Sequence, residues 1–198
     1  MTRTFPLTFP LTCPIAFPAL ALLGALAAPA LAQQKLVPAQ SEIAFTSKQM
    51  GVPVDGRFRK FDAQVAFDPK KPEAAKISFS IDLGSAALGA PETEAELIKP
   101  EWFSTKLFPQ ATFASSAVKV AGPGRFEVAG KLTIKGASQD VVVPVALAQA
   151  GASTTANGMF VIKRLDFRIG DGDWKDTSMV ANDVQIKFKL TLTGMAAP

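Results

Sequence analysis

A chain of 198 residues with 48% hydrophobic and 19% charged residues, 14 Gly and 15 Pro has the composition of one folded domain rather than of a disordered polymer. It contains no His, no Tyr and a single cysteine, Cys13, which excludes Ser-His-Asp and Cys-His relays, His-containing zinc sites and His-ligated haem and leaves only carboxylate, Lys, Ser or Thr chemistry. The formal charge of +4 is carried by Lys and Arg dispersed among Asp and Glu, without the clustered basic face of a nucleic-acid reader, so nucleic acid is discounted as a partner and binding without catalysis is the expectation.

Residues 1–32 have the order of a cleaved secretory signal peptide. A single charge, Arg3, precedes an apolar run densest over Ala19 to Ala28, and Ala30-Leu31-Ala32 supplies small residues for a cut before Gln33. An uncleaved anchor is the alternative, against which Pro14, Pro18 and Pro29 interrupt the run. A lipidated Cys13 is disfavoured by the preceding Pro10-Leu11-Thr12. The expected mature domain, 33–198, has 198 − 32 = 166 residues and no cysteine. It would enter an oxidising compartment relying on its own core.

From Ser41 onward the period is two. Ile43 and Phe45 alternate with polar or small neighbours, as do Phe61, Ala63, Val65 and Phe67, then Ile77, Phe79, Ile81 and Leu83. Pro91 to Phe108 breaks the pattern: Glu92 to Lys99 has helix formers behind a proline and acids in its first turn, so a short helical insertion is predicted near 92–103. Alternation resumes at Phe113 and continues through Phe126 to Ile134, Val141 to Leu147, Phe160 and Ile162, and Leu165, Phe167 and Ile169. It is cleanest in Val184, Ile186, Phe188, Leu190 and Leu192, with Lys187 and Lys189 on the wet face. About eight antiparallel strands must hide their edges in a sandwich or a closed barrel. A ten-residue strand of about 33 Å, tilted by about 40°, makes a barrel roughly 25 Å deep.

The order and spacing of several short motifs resemble the YceI-like family, also described as polyisoprenoid-binding or lipid-binding. They are Ser41-Glu42-Ile43-Ala44-Phe45, Lys48-Gln49-Met50-Gly51, Asp55 to Phe61, Phe67-Asp68-Pro69, Phe108 to Phe113, Gly130 to Gly136 and Arg164-Leu165-Asp166-Phe167, a match over about residues 36–194. The resemblance implies an all-β, lipocalin-like, extended eight-stranded antiparallel barrel, in a periplasmic or secreted bacterial protein. It also implies an elongated apolar cavity holding an isoprenoid, isoprenoid quinone or fatty acyl chain, with no cofactor. A transient membrane contact and a homodimer are both compatible with it. Two departures stand out: Glu92 to Phe103 replaces a more usual histidine-containing stretch, and Arg168 occupies a position commonly held by glycine.

Alternation alone favours core filling for the inward aromatic set, since most aromatics on strand faces are structural. The resemblance reverses that balance and assigns Phe45, Phe67, Phe79, Ile81, Phe113, Phe126 and Phe188 to the cavity lining. Trp102 and Phe103 either guard the mouth or cover a barrel end. Asp171-Gly172-Asp173-Trp174-Lys175-Asp176 hints at a calcium loop, but Asp176 stands where glycine is needed and Asn182 where glutamate is needed, so a solvated turn is expected. Glu92, Glu94, Glu96 and Glu101 are read as carboxylates favoured at a helix start rather than as an acid and base pair. The alternative to a lipid carrier is a packed barrel serving as a protein-interaction or stress-response factor.

Overall fold

The alternating stretches become β1 (Gln33–Leu36), β2 (Glu42–Gln49), β3 (Val52–Phe58), β4 (Phe61–Ala66), β5 (Lys76–Asp82), β6 (Ala86–Ala87), β7 (Gln110–Gly122), β8 (Arg125–Ile134), β9 (Ala137–Ala150), β10 (Ser153–Lys163) and β11 (Asp183–Thr193). Among the described residues one α-helix, α1 (Pro91–Leu97), interrupts them. The source is a computed structural model of the chain, whose described residues are 1–2 and 33–195. The leader assigned to residues 1–32, including Cys13, lies outside the described residues apart from Met1 and Thr2. The chain divides into two compact units, Met1–Ala30 and Leu31–Pro198, and the strands belong to the second.

Every pairing is antiparallel, in the order β1-β4-β5-β7-β8-β9-β10-β11-β2-β3-β6, and β1 closes the ring by pairing also with β11. Three of the barrel's eight staves are broken in two. Gln34 faces Val65 across β1 and β4 while Ile43 faces Phe58 across β2 and β3, so these are consecutive stretches of one hairpin. Likewise Phe61 faces Ile81 and Phe58 faces Ala86. Short side chains stitch the breaks. Ser41 Oγ donates to Val37 O (2.8 Å) and accepts from Thr191 N (2.9 Å). Ser85 Oγ donates to Asp82 O (2.6 Å) and accepts from Lys60 N (3.0 Å). The backbone groups that a kink removes from the ladder thus find partners.

Two expectations needed correction. Leu165, Phe167 and Ile169 alternate as a strand would, yet Arg164–Phe167 is a 3-10 turn, ended by Arg168 in the left-handed region (φ 57°). Phe167 and Ile169 are buried nonetheless, so burial at every second position does not require a strand. Conversely, Val52–Phe58, where no strand is predicted from the sequence, forms β3 in spite of Pro53 and Gly56. Over Val52–Gly56, β3 pairs only with β2, and an edge tolerates a proline.

Candidate functional site

The barrel encloses two cavities along its length. The inner one, about 140 Å³, is lined only by apolar side chains, among them Phe67, Phe79, Phe113, Phe126 and Phe188. Leu192, Met195 and the edge-to-face pair of Phe67 and Phe126 (centroids 5.0 Å apart, planes at 86°) are part of its lining, and Leu36 is buried in the same core cluster. The outer cavity, about 610 Å³, is walled by Phe45, Phe58, Trp102, Phe103, Phe160 and Trp174, with Ser47, Gln49, Glu92, Thr93 and Glu96 adding polar groups. Ile43, Ile81, Leu132, Phe160 and Ile186 line both cavities and form a neck between them.

The candidate lining residues therefore fall in three places. Phe67, Phe79, Phe113, Phe126 and Phe188 face the inner chamber, Phe45 faces the outer one, and Ile81 belongs to the neck. Trp102 and Phe103 both line the outer chamber. Trp102 packs on Trp174 at 5.3 Å and Phe103 lies against Phe58 at 6.3 Å. Phe160 and Ile186 were visible in the sequence as inward positions but were not singled out; Trp174 and Arg164 lie in 3-10 turns, where strand parity does not say which side chains face inward.

The outer end is built by segments that buried cations hold together. Arg164 is 1% exposed and donates all five of its N–H groups to backbone carbonyls: Nε to Ala181, Nη1 to Ile169 and Gly170, Nη2 to Trp174 and Val180, at 2.6–3.1 Å. Burial lowers its pKa, which Asp171 partly opposes. Lys135 Nζ donates to Arg168 O (2.6 Å) and Glu101 O (3.1 Å) with Asp171 Oδ2 at 3.8 Å, and burial lowers its pKa too. Asp176, where a calcium loop would need glycine, instead caps its own turn by accepting from Ser178 N (2.8 Å) and Ser178 Oγ (2.7 Å), which lowers its pKa.

These groups constrain the chemistry. Arg164 has no free N–H to offer a guest. Trp102 Nε1 lacks a partner among the described residues but is sealed from solvent and lumen alike. Glu94 is committed to the backbone: its carboxylate accepts from Leu88 N (2.9 Å) and Gly89 N (3.1 Å), and these bonds, aided by Arg59, lower its pKa. Apolar surface and shape, with a few polar groups at the outer end, are what the site presents to a ligand.

Fold and cavity together define a hollow antiparallel β-barrel of the lipocalin-like kind. The family profile of the YceI-like domain matches residues 34–192, and the chain belongs to that family. A UPF0312 protein of Azotobacter vinelandii is 32% identical over 88 residues, 44% of this chain and 46% of the relative. Protein YceI of Salmonella newport is 33% identical over 96 residues, 48% of this chain and 50% of the relative. The chain thus spans about half the length of the curated relatives it matches. Among solved structures, BcnA of Burkholderia cenocepacia superposes with a TM-score of 0.77 at 47% identity, covering 79% of this chain and 99% of that one. A polyisoprenoid binding domain from Saccharophagus degradans shares the fold, with a TM-score of 0.67 at 17% identity over 85% of this chain and 99% of its own.

Proposed function

We propose that this protein is exported through its cleaved leader to the periplasm and there binds and carries one hydrophobic chain, an isoprenoid, isoprenoid quinone or fatty acyl lipid, without chemically altering it. The observation that carries this reading is the inner chamber, whose described lining has no polar side chain and which continues through the neck into a wider chamber with polar groups. Each methylene transferred from water into such a space contributes about 0.8 kcal/mol, so one five-carbon unit contributes several kcal/mol before entropy costs. The family, and the polyisoprenoid-binding description of a structural neighbour, support the same ligand class. Empty volume inside the ring counts against the packed-barrel alternative. A lipid entering at the outer end calls for a transient contact with a membrane there.

Native mass spectrometry of the protein from the periplasm of its host, followed by organic extraction, tests this. The expected result is a chain beginning at Gln33 with a polyprenyl or acyl species in near 1:1 ratio. An empty protein that also takes up neither isoprenoid quinones nor fatty acids would overturn the carrier reading.

A further inference from the structure

Three glycines on the inner wall, Gly56 in β3, Gly130 in β8 and Gly158 in β10, each lie beneath a phenylalanine ring from the neighbouring strand. Gly56 faces Phe45 and Gly158 faces Phe188 directly, while Gly130 is diagonal to Phe113, whose direct partner is Leu132. A Cβ at any of the three would come closer than 3.0 Å to at least two ring atoms. None of the three has the left-handed backbone that would demand glycine, and a mid-strand glycine is destabilising because it loses more chain entropy on folding than any other residue. What they supply is room: each ring lies along the wall instead of standing across the lumen.

All three pairs sit within one side-chain step of the neck. Phe45 is one step outward from Ile43 on β2, whereas Gly130 and Gly158 are one step inward from Leu132 and Phe160. We propose that these Gly–Phe pairs set the bore at the neck and make the barrel a length selector. The pairs at Gly130 and Gly158 admit the end of a chain to the inner chamber, and the pair at Gly56 keeps the outer chamber passable. The inference rests on the lipid-binding reading and narrows its ligand to a slender single chain long enough to cross the neck. The neck is the one place where both chambers share a wall, so a small loss of bore there separates long guests from short ones.

Trp102 and Trp174, the two tryptophans of the chain, both line the outer chamber, so their fluorescence reports binding of geraniol, farnesol and geranylgeraniol directly. In the unaltered protein affinity rises with chain length. Gly158→Ala pushes Phe188 into the lumen and weakens geranylgeraniol about tenfold or more while leaving geraniol within about twofold. Gly56→Ala, whose added methyl has three atoms of the Phe45 ring as its nearest neighbours, weakens all three. At Gly158 the methyl also meets the carbonyl oxygen of Pro144, so the double change Gly158→Ala with Phe188→Leu serves as the second variant. It removes the clash with the ring, and recovery of geranylgeraniol binding assigns the loss to the ring rather than to the backbone. Equal losses for short and long prenols in Gly158→Ala, or unchanged binding in both single variants, overturn the length selector while the lipid reading stands. Failure of the unaltered protein to take up any prenol overturns both.

Discussion

Burying a guanidinium is costly unless each of its donors is used, and Arg164 meets that condition without an acid: no carboxylate lies within 4.0 Å of it among the described residues. Its five bonds gather the chain from Ile169 to Ala181 over the outer end of the barrel. Arg164→Met would leave five carbonyls without their donor, and a loss of about 3–5 kcal/mol is expected in urea unfolding. Arg164→Lys should recover little, because an ammonium cannot reproduce the planar fork; a loss below about 1 kcal/mol for either variant would contradict this role. The sequence showed Arg164 only as part of a motif, since arginine is ordinarily a surface residue. Arg168, which the resemblance marks as standing in place of a glycine, has a φ of 57°, a region that glycine enters without the steric cost a side chain carries.

The helix α1 is seven residues long, too short to persist on its own, and its N-cap Ala90 has no capping side chain. Glu94 substitutes by reaching back to the amides of Leu88 and Gly89. These bonds lower its pKa below the ordinary 4.5. Its contribution is therefore fully present above pH 4.5 and fades as pH falls through the lowered value. Acidification should reduce amide protection at Leu88, Gly89 and α1 ahead of the barrel strands, loosening the wall that carries Glu92 and Glu96 and speeding release of a bound lipid. Glu94→Gln should show the reduced protection already at neutral pH with no further acid step, and equal protection in both proteins at neutral pH would refute the arrangement. Helix formers behind Pro91 announced α1 in the sequence, but that Glu94, rather than the N-cap residue, satisfies the preceding amides depends on how the chain turns at Gly89 (φ 78°).

Closure of the barrel depends on its shortest ring-closing segment. The four residues of β1 pair with β11 on one side and β4 on the other, Leu36 is buried in the core around the inner chamber, and Gln34 Oε1 accepts from Phe67 N at 2.8 Å. Deleting Gln33–Leu36 should expose the edge of β4 and open the floor of the inner chamber. The expected cost is at least about 2 kcal/mol from Leu36 burial and lost pairing, with faster dissociation of a long-chain ligand. A truncated protein of unchanged stability and ligand residence time would show that β1 is dispensable to the ring.

Alternation over β2, β4, β5 and β7 to β11 was enough to give antiparallel strands and their inward faces, because a pleated strand with one wet side writes its parity into local composition; the choice of a barrel over a sandwich came from the resemblance of the motifs. The sites of Phe67, Phe113 and Phe188 were legible to that extent, as inward-facing positions. Whether opposite walls meet or leave a void is not local: it depends on which glycine lies beneath which ring of the neighbouring strand, as Gly158 in β10 lies beneath Phe188 in β11, and on how the ring of strands closes. The two chambers, the neck, the stitched kinks and the buried Arg164 all follow from such long-range juxtapositions, and only the folded barrel decides them.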